Sequence, residues 1–356
     1  MKNSKFYIFI FVILSNLFCI KSFGFDQFNF NVTEIEIQNN GNLIKGLKRG
    51  IVTTNDGIII EADQFEYEKS SNILNASGDV KVTNKIKEYI LFSDELIYFK
   101  NSEKIISKKK SKIIYENNKI IKADQLEYEK SSNIFYATGN VEVKDNIKDY
   151  TILSREIIYF KDLENIITKG ATNFLIKKKY DIKSQNVNYS INDELINSNF
   201  KTKITDNNSN FYSLGRFSYK INDEILKGEN VIITTNYNLP KSDKFYLSSA
   251  IIDFKKETIL ASDTEVKIHK NIFNNNENDP RLKGVSSYSD KYITEVNKGI
   301  FTSCKKTDNC PPWSIKAKKI IHDKVKKQLN YKDAIIKVYD IPVLYFPKFF
   351  HPDPTV

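Results

Sequence analysis

The sequence has few of the residues that build metal sites and redox centres. Its 356 residues include 3 Cys, 3 His, 1 Met and 1 Trp. None of His269, His322 and His351 lies near another His or a Cys at the spacing of a metal site. There is no Gly-rich phosphate loop and no G-x-S-x-G elbow. We therefore expect no cofactor, no bound metal, no catalytic residues and no enzymatic activity.

Long apolar runs are absent after the first residues. Two lysines precede an apolar run from Phe6 to Ile20, and the small residues Ser22 and Gly24 fit cleavage after Gly24. The run is shorter than the about 20 residues that a membrane helix needs. We interpret residues 1–24 as a signal peptide, with an uncleaved N-terminal anchor as the alternative. The rest of the chain is then exported.

The charge is unbalanced towards lysine. Lys and Arg total 54 against 44 Asp and Glu, which gives a net charge of +10. A basic balance fits nucleic acid, anionic lipid or simply solvated lysines on outward strand faces. The last reading is the plainest, because the lysines are spread along the chain. We expect no nucleic-acid partner, since an exported protein rarely meets one.

Aromatic residues are abundant and lie in a long internal repeat. The segment from Ile59 to Ile73 returns as Ile120 to Ile134, in register and 61 residues later. From this unit onward an apolar residue and, two positions later, a tyrosine recur every 30 or 31 residues. The recurring pairs are Phe65 and Tyr67, Leu96 and Tyr98, Leu126 and Tyr128, Ile157 and Tyr159, Val187 and Tyr189, and Phe217 and Tyr219.

Each motif alternates with the period of a β-strand. Phe65 and Tyr67 point to one face, and Gln64 and Glu66 point to the other. A polar turn follows, and then a second alternating run. The sequence therefore predicts an all-β fold of stacked antiparallel strands. We predict that the six apolar–tyrosine pairs form one inward lining, which is either a dry core or an apolar trough.

The repeated aspartates are interpreted as fold positions. Asp63 and Asp124 precede the alternating motif at the same place in each copy. A catalytic pair is not expected once in every structural repeat. We interpret them as turn or strand-end hydrogen-bonding residues.

The C-terminal part changes character. Thr302-Ser303-Cys304 leads to Trp313-Ser314-Ile315-Lys316-Ala317, and the chain closes with Ile341-Pro342-Val343-Leu344-Tyr345-Phe346-Pro347-Lys348-Phe349 and His351-Pro352-Asp353-Pro354-Thr355-Val356. This order resembles the periplasmic region of the lipopolysaccharide-assembly outer-membrane family (LptD, also called OstA or Imp), and the ending resembles alphaproteobacterial members. The upstream repeats are similar to OstA-type modules. Asp340 stands where the family usually has Gly, and Lys348 replaces a usual aromatic.

The resemblance implies a β-jelly-roll or V-shaped trough at the periplasmic face of the cell outer membrane. Such a trough takes lipopolysaccharide acyl chains from a periplasmic bridge protein and passes them to an outer-membrane barrel or its plug lipoprotein. The family's barrel would begin where this sequence ends. The alternatives are a free-standing periplasmic bridge module of the same line and a structural β-solenoid that binds no lipid.

The resemblance and the repeat together predict four regions. They are a signal peptide (1–24), an N-terminal linker (25–49), an OstA-like β-repeat domain (50–340) and a Pro-rich connector (341–356). The mature chain keeps Cys304 and Cys310, which in an oxidising compartment favour a structural role. A local disulfide between them is one possibility. In the family that the sequence resembles, the Cys of the Thr-x-Cys step, here Cys304, bonds to a cysteine beyond the barrel.

Overall fold

The chain forms antiparallel β-strands throughout the part described by a computed structural model. That part comprises residues 28–84, 88–116, 118–237, 242–268, 279–305 and 311–352. Two single-turn 3-10 helices, Asn39–Gly41 and Lys161–Leu163, interrupt the strands there. The predicted all-β class of stacked antiparallel strands is confirmed.

The strands follow one another along the chain with short connections. They are β1 (Phe28–Gln38), β2 (Leu43–Thr54), β3 (Ile58–Ala62), β4 (Gln64–Glu68), β5 (Ile73–Asn84), β6 (Tyr89–Phe99), β7 (Lys104–Tyr115), β8 (Lys119–Glu129), β9 (Ile134–Asp145), β10 (Tyr150–Phe160), β11 (Asn165–Ile176), β12 (Tyr180–Gln185), β13 (Asn188–Ser190), β14 (Leu195–Ser198), β15 (Thr202–Asp206), β16 (Phe211–Leu214), β17 (Arg216–Lys220), β18 (Ile225–Thr234), β19 (Lys244–Asp253), β20 (Thr258–Lys267), β21 (Arg281–Ser289), β22 (Ile293–Thr302), β23 (Trp313–Asp323), β24 (Gln328–Val338) and β25 (Ile341–Pro352).

A bulge divides the long strands near the middle. In the β5–β6 pair the register shifts between Ser77 and Val80, and in the β7–β8 pair between Lys108 and Ser111. A bulge adds one residue to one strand, which bends that strand and increases its twist. Other strands break completely at the same level, as β3 and β4 do on either side of Asp63.

The bends arrange the strands in two layers. The tyrosine layer contains β4, β13, β14 and β17 with the strand segments that pair with them. The facing layer contains β3, β12, β15 and β16 with their paired segments. A long strand belongs to both: Leu43–Gly46 of β2 pairs with β4, and Gly50–Thr53 pairs with β3. The chain therefore folds as a meander whose strands pass from one layer to the other.

Aspartate and glycine meet at the bulges. The backbone N–H of Asp63 donates to the carbonyl of Gly78 at 3.0 Å, and the Asp63 carboxylate accepts from Arg49 at 3.0 Å. Gly78 has a φ of +78°, which side chains rarely adopt, and a Cβ there would lie 2.6 Å from Asp63 Oδ2. Asp124 and Gly139 repeat the arrangement. Asp63 lies at a strand end, as predicted, whereas Asp124 lies inside β8.

Side-chain direction follows the predicted parity. Phe65 and Tyr67 are 2% and 3% exposed, whereas Glu66 between them is exposed. Glu127 and Ser218 are likewise more exposed than the residues on either side of them. Because a one-residue slip would reverse every side chain, this agreement confirms the register.

Strands extend beyond both ends of the predicted β-repeat domain (50–340). The linker predicted for residues 25–49 is, from Phe28 onward, strand β1 and the first half of β2. The connector predicted for residues 341–356 forms β25, which pairs along its length with β24, and its last four residues lie outside the described part. In β1 the apolar residues Phe28, Phe30 and Val32 alternate with polar ones, as a strand requires, whereas β25 has no such alternation and is ordered by backbone pairing with β24.

The buried residues form two clusters. The larger one runs from Phe28 to Ile252, and the smaller one from Val266 to Ala334, with Phe245 packed against both. At Asp340 the backbone has a φ of +67°, in the left-handed region that favours glycine. The departure from the family's usual Gly therefore falls at a turn between β24 and β25 where Gly would be unstrained.

Candidate functional site

The predicted lining residues lie between the two layers. Eleven of the twelve are 8% exposed or less, and Tyr159 is half-buried. Their burial shows that the repeat points inward. Whether lipid contacts them stays a prediction.

Edge-to-face aromatic rings join the layers at two places in the larger cluster. Phe28 of the facing layer lies edge-on to Tyr67 and Tyr98, with ring centroids 4.9 and 5.7 Å apart. Further along, Phe174 lies 5.3 Å from Tyr189 in the same geometry. Edge-to-face rings at these distances stabilise beyond their buried area. At these ring contacts the two layers pack directly against each other.

An apolar cavity separates the layers between these ends. The cavity has a volume of about 70 Å³. The lining residues are Tyr89, Ile113, Tyr115, Lys119, Ile121, Leu126, Phe135, Ala137, Val143, Tyr150, Ile157, Tyr159, Lys161, Ile166 and Ile191. Predominantly apolar walls with a few polar groups at one side are typical of a site for an apolar ligand.

The sequence predicted three of the fifteen residues that line this cavity. Leu126, Ile157 and Tyr159 belong to the predicted lining, and all three come from the tyrosine layer. The facing-layer wall, including Ile113 and Val143, was missed. The second alternating run of each repeat could have predicted this wall. That run carries no tyrosine at a fixed spacing, so it is less conspicuous in the sequence.

The mouth of the cavity carries two lysines on one aromatic ring. The Nζ atoms of Lys119 and Lys161 lie 5.4 and 5.1 Å from the centroid of the Tyr115 ring. Lys119 also pairs with Glu116 at 3.2 Å. Lys161 comes from the turn after β10, so its contact with Tyr115 joins the two layers. Burial and the hydrogen bond to Glu116 raise the pKa of Tyr115 to about 12, so its hydroxyl is neutral.

On one side of the cavity the mouth is closed by an ion-pair cluster. Asp56, in the turn between β2 and β3, lies 3.5 Å from Lys100 and 3.0 Å from Lys130, and Lys130 lies 2.7 Å from Glu103. Burial raises the pKa of Asp56. Hydrogen bonds from Thr54 and Lys130 and the charges of both lysines lower this pKa by more than burial raises it, so that it falls to about 2.

On the other side two more ion pairs join the layers. Lys148 in the turn before β10 lies 3.7 Å from Glu194, and Lys179 in the turn before β12 lies 2.9 Å from Glu224. Tyr180 also donates to Glu224 at 3.1 Å. Burial raises the pKa of Glu224, but the hydrogen bond and charge of Lys179 bring it below its ordinary value. The cavity therefore lies between two groups of ion pairs, each of which joins the two layers.

Cys304 lies apart from this cavity, after β22. It is half-buried, its Sγ lies 3.6 Å from the Trp313 carbonyl, and its own carbonyl accepts from Arg281. It forms no disulfide with a described residue. Cys310, the predicted alternative partner, lies outside the described part.

The described residues hold no group of three His, Cys, Asp or Glu side chains placed to bind a metal ion. His322 lies in β23 and His351 in β25, while His269 is outside the described part. His351 Nε2 is 2.9 Å from the hydroxyl of Tyr331. A search of the same residues found no helix with the length and apolar character to cross a membrane.

The chain has a structural likeness to a lipopolysaccharide transport protein. No family model and no curated protein matches the sequence. One similar solved structure is that of LptH, the LptA homologous periplasmic component of the conserved lipopolysaccharide transport device from Pseudomonas aeruginosa. The alignment has 11% identity, covers 32% of this chain and 82% of that chain, and has a TM-score of 0.28. A likeness at this level says nothing of what the chain binds.

Proposed function

We propose that this chain is a periplasmic carrier for the acyl chains of lipopolysaccharide and passes them to the outer membrane. The observation that carries the proposal is the apolar cavity between the layers, lined by the residues that the sequence repeat places inward. The resemblance of Cys304 to Pro354 to the LptD family supports the same function independently of the cavity.

The physical basis is the burial of methylene groups. Each CH₂ removed from water contributes about 0.8 kcal/mol. An apolar wall built from strand residues provides this without directional contacts, so a chain can slide along it. Outward residues of the same strands such as Glu66 and Glu127 are polar and reach solvent. We propose no catalytic step and no nucleotide-driven step for the chain itself.

The partners follow from the same proposal. They are lipopolysaccharide, a periplasmic bridge protein and an outer-membrane barrel or its plug lipoprotein. Among the described strands, β1 and β25 each pair with one neighbour, so each has a free edge. A free edge can add a strand from another β-module. We propose that such edges receive the bridge protein and the barrel, with a free-standing bridge module as the alternative role.

A second candidate is a structural β-repeat that binds no lipid. The edge-to-face packing of Phe28, Tyr67 and Tyr98 favours it, because these rings contact one another directly across the layers. Leu96, which belongs to the predicted lining, is 1% exposed and lies outside the cavity. The two candidates differ in what they predict for the cavity walls.

Photocrosslinking in cells separates these candidates. A photoreactive residue is placed at Leu126 or Ile157, which line the cavity, and in the matched control at Glu127. Glu127 is the next residue of β8 and faces the opposite side, where it pairs with Lys104 at 2.5 Å. A carrier predicts lipopolysaccharide adducts at Leu126 and Ile157 and none at Glu127.

Two results contradict the proposal. Equal adducts at all three positions would mean that lipid contacts the chain without entering it. An absence of adducts at both cavity positions, with a folded and exported protein, would favour the structural β-repeat.

A further inference from the structure

The contacts that join the two layers at the cavity mouth differ from those on either side of the cavity. At Asp56 and at Lys148, charges of opposite sign join the layers. At the cavity, the contact that joins them is Lys161 over the ring of Tyr115, at 5.1 Å. Lys161 forms no ion pair with a carboxylate of the described residues. An ammonium group thus lies beside an apolar cavity with a ring as its nearest partner, and the charge of Glu116 acts on it from beyond ion-pair distance.

Lys119 adds a second cation at the same place. Its pair with Glu116 is local, three residues along the chain, and the Glu116 side chain is 45% exposed. Exposed pairs of this kind are weak and are screened by salt. Lys119 can therefore leave Glu116 for a stronger anion at little cost.

We propose that Lys119 and Lys161 bind the phosphate of a lipid whose acyl chain occupies the cavity. This inference rests on the proposed carrier function and names its headgroup site. With the chain between the layers, a headgroup emerges at the mouth, where the two lysines flank Tyr115. Each ammonium can donate a charge-assisted hydrogen bond to phosphate oxygen.

Other side chains at the mouth surround the two lysines and affect how they bind an anion. The ring of Tyr115 holds both lysines by its negative face, and its neutral hydroxyl does not repel an anion. Glu88, Glu116 and Glu164 are the nearby carboxylates, and the two lysines must offset their charge for an anion to bind. Glu164 accepts a hydrogen bond from Tyr159 at 2.9 Å, which keeps it engaged with the tyrosine layer. Because little free space is present, a chain enters by displacing half-buried side chains such as Phe135 and Tyr159.

Calorimetric titration of the purified chain tests the site with three probes. Decyl phosphate carries both the chain and the anion, 1-decanol carries the chain alone, and inorganic phosphate carries the anion alone. The variants are Lys119→Gln with Lys161→Gln, and Lys203→Gln as control. Lys203 is an exposed lysine of β15 that has no ion pair among the described residues. Circular dichroism verifies that each variant keeps its β-structure.

We expect the double variant to bind decyl phosphate about tenfold more weakly, which corresponds to about 1.4 kcal/mol. Its affinity for 1-decanol should stay unchanged, and Lys203→Gln should match the wild type. Equal affinity of all proteins for decyl phosphate would overturn the headgroup site and leave the carrier function standing. Binding of inorganic phosphate as tight as decyl phosphate would also overturn it, since the site would then not be a lipid site. Failure of the wild type to bind both decyl probes would instead contradict the cavity as a lipid site.

Discussion

The hydroxyl of Tyr67 donates a hydrogen bond of 2.8 Å to Oδ1 of Asn72, five residues further along the chain. Tyr128 makes the same contact with Asn133 at 3.0 Å, and Tyr159 with Glu164. The acceptor lies in each case in a turn, with a left-handed backbone, as at Asn72 with a φ of 55°. The repeated tyrosine therefore fixes the turn that returns the chain, besides filling the core.

The first prediction compares two tyrosines of the series. Tyr67→Phe should lower stability by about 1 kcal/mol, because it removes a hydrogen bond and leaves Asn72 without that donor. Tyr189→Phe should be neutral or stabilising, because the Tyr189 hydroxyl is buried and has no hydrogen-bond partner among the described residues. Urea unfolding of both variants measures the difference. Equal losses of stability would show that the turn contact contributes nothing.

The period of the tyrosine series could be recognised in the sequence because each repeat must bury an aromatic residue at the same place. Tyr67, Tyr98 and Tyr128 each occupy the same place in a strand and turn, so spacing and parity alone predicted their burial. The bend that creates two layers was not predicted. Its signal is Gly78 and Gly139, each placed 15 residues after Asp63 and Asp124, but the alternation of apolar residues passes through the bulge without a visible break.

The second prediction concerns those bulge glycines. Gly139→Ala should destabilise the chain by about 2 kcal/mol or more, because the φ of +75° is strained for alanine and its Cβ would lie 2.8 Å from the Cβ of Asp124. Gly170→Ala is the matched control. Gly170 has a φ of +80° with no atom within 4 Å of an added Cβ, so it should show the backbone strain alone, about 1 kcal/mol.

Thermal unfolding of both alanine variants separates the two contributions. The additional loss of stability in Gly139→Ala, compared with Gly170→Ala, measures the steric clash with Asp124. If Gly170→Ala is as destabilising as Gly139→Ala, the contact with Asp124 does not restrict this position.

The third prediction is a pH dependence of the ion-pair cluster at Asp56. The folded chain holds the pKa of Asp56 at about 2, below its ordinary value of 3.8. The ionised group therefore stabilises the fold above pH 4, and this contribution is lost as the pH falls from about 4 to about 2. Asp56→Asn should be less stable than the wild type at pH 7, and the difference should disappear over that range.

Melting temperatures of both proteins between pH 7 and pH 2 provide the measurement. Glu66→Gln removes one carboxylate at an exposed position of β4 and controls for the change in net charge. A difference between Asp56→Asn and wild type that stays constant down to pH 2 would refute the role of the ionised pair.

These ion pairs were beyond prediction from the sequence. Asp56 and Lys130 are 74 residues apart, and Lys148 and Glu194 are 46 apart. Neither sequence separation is a multiple of the 30-residue period, because each ion pair joins a turn of one layer to a turn of the other layer that comes later in the chain. The inward residues obey a local rule of alternation, whereas contacts at the mouth depend on how two bent layers are stacked.

The last prediction concerns Cys304. The resemblance of Thr302-Ser303-Cys304 to the Thr-x-Cys step of the LptD family implies that Cys304 bonds to a cysteine outside the printed sequence. The described structure leaves its thiol half-buried, with Sγ 3.6 Å from a carbonyl. A local bridge to Cys310 is the alternative. It would close a short loop and so stabilise the fold little, since few residues lose entropy on closure.

Non-reducing electrophoresis of extracts from cells that express Cys304→Ser or Cys310→Ser decides between the two pairings. An external partner predicts that Cys304→Ser changes the mobility of the mature protein and lowers outer-membrane lipopolysaccharide, while Cys310→Ser changes neither. A local bridge predicts the same small mobility change for both variants. If Cys304→Ser leaves maturation and outer-membrane lipopolysaccharide as in the wild type, the proposed role of this cysteine is wrong. The cavity and its mouth do not involve Cys304, so the carrier function would remain to be judged by crosslinking at Leu126 and Ile157.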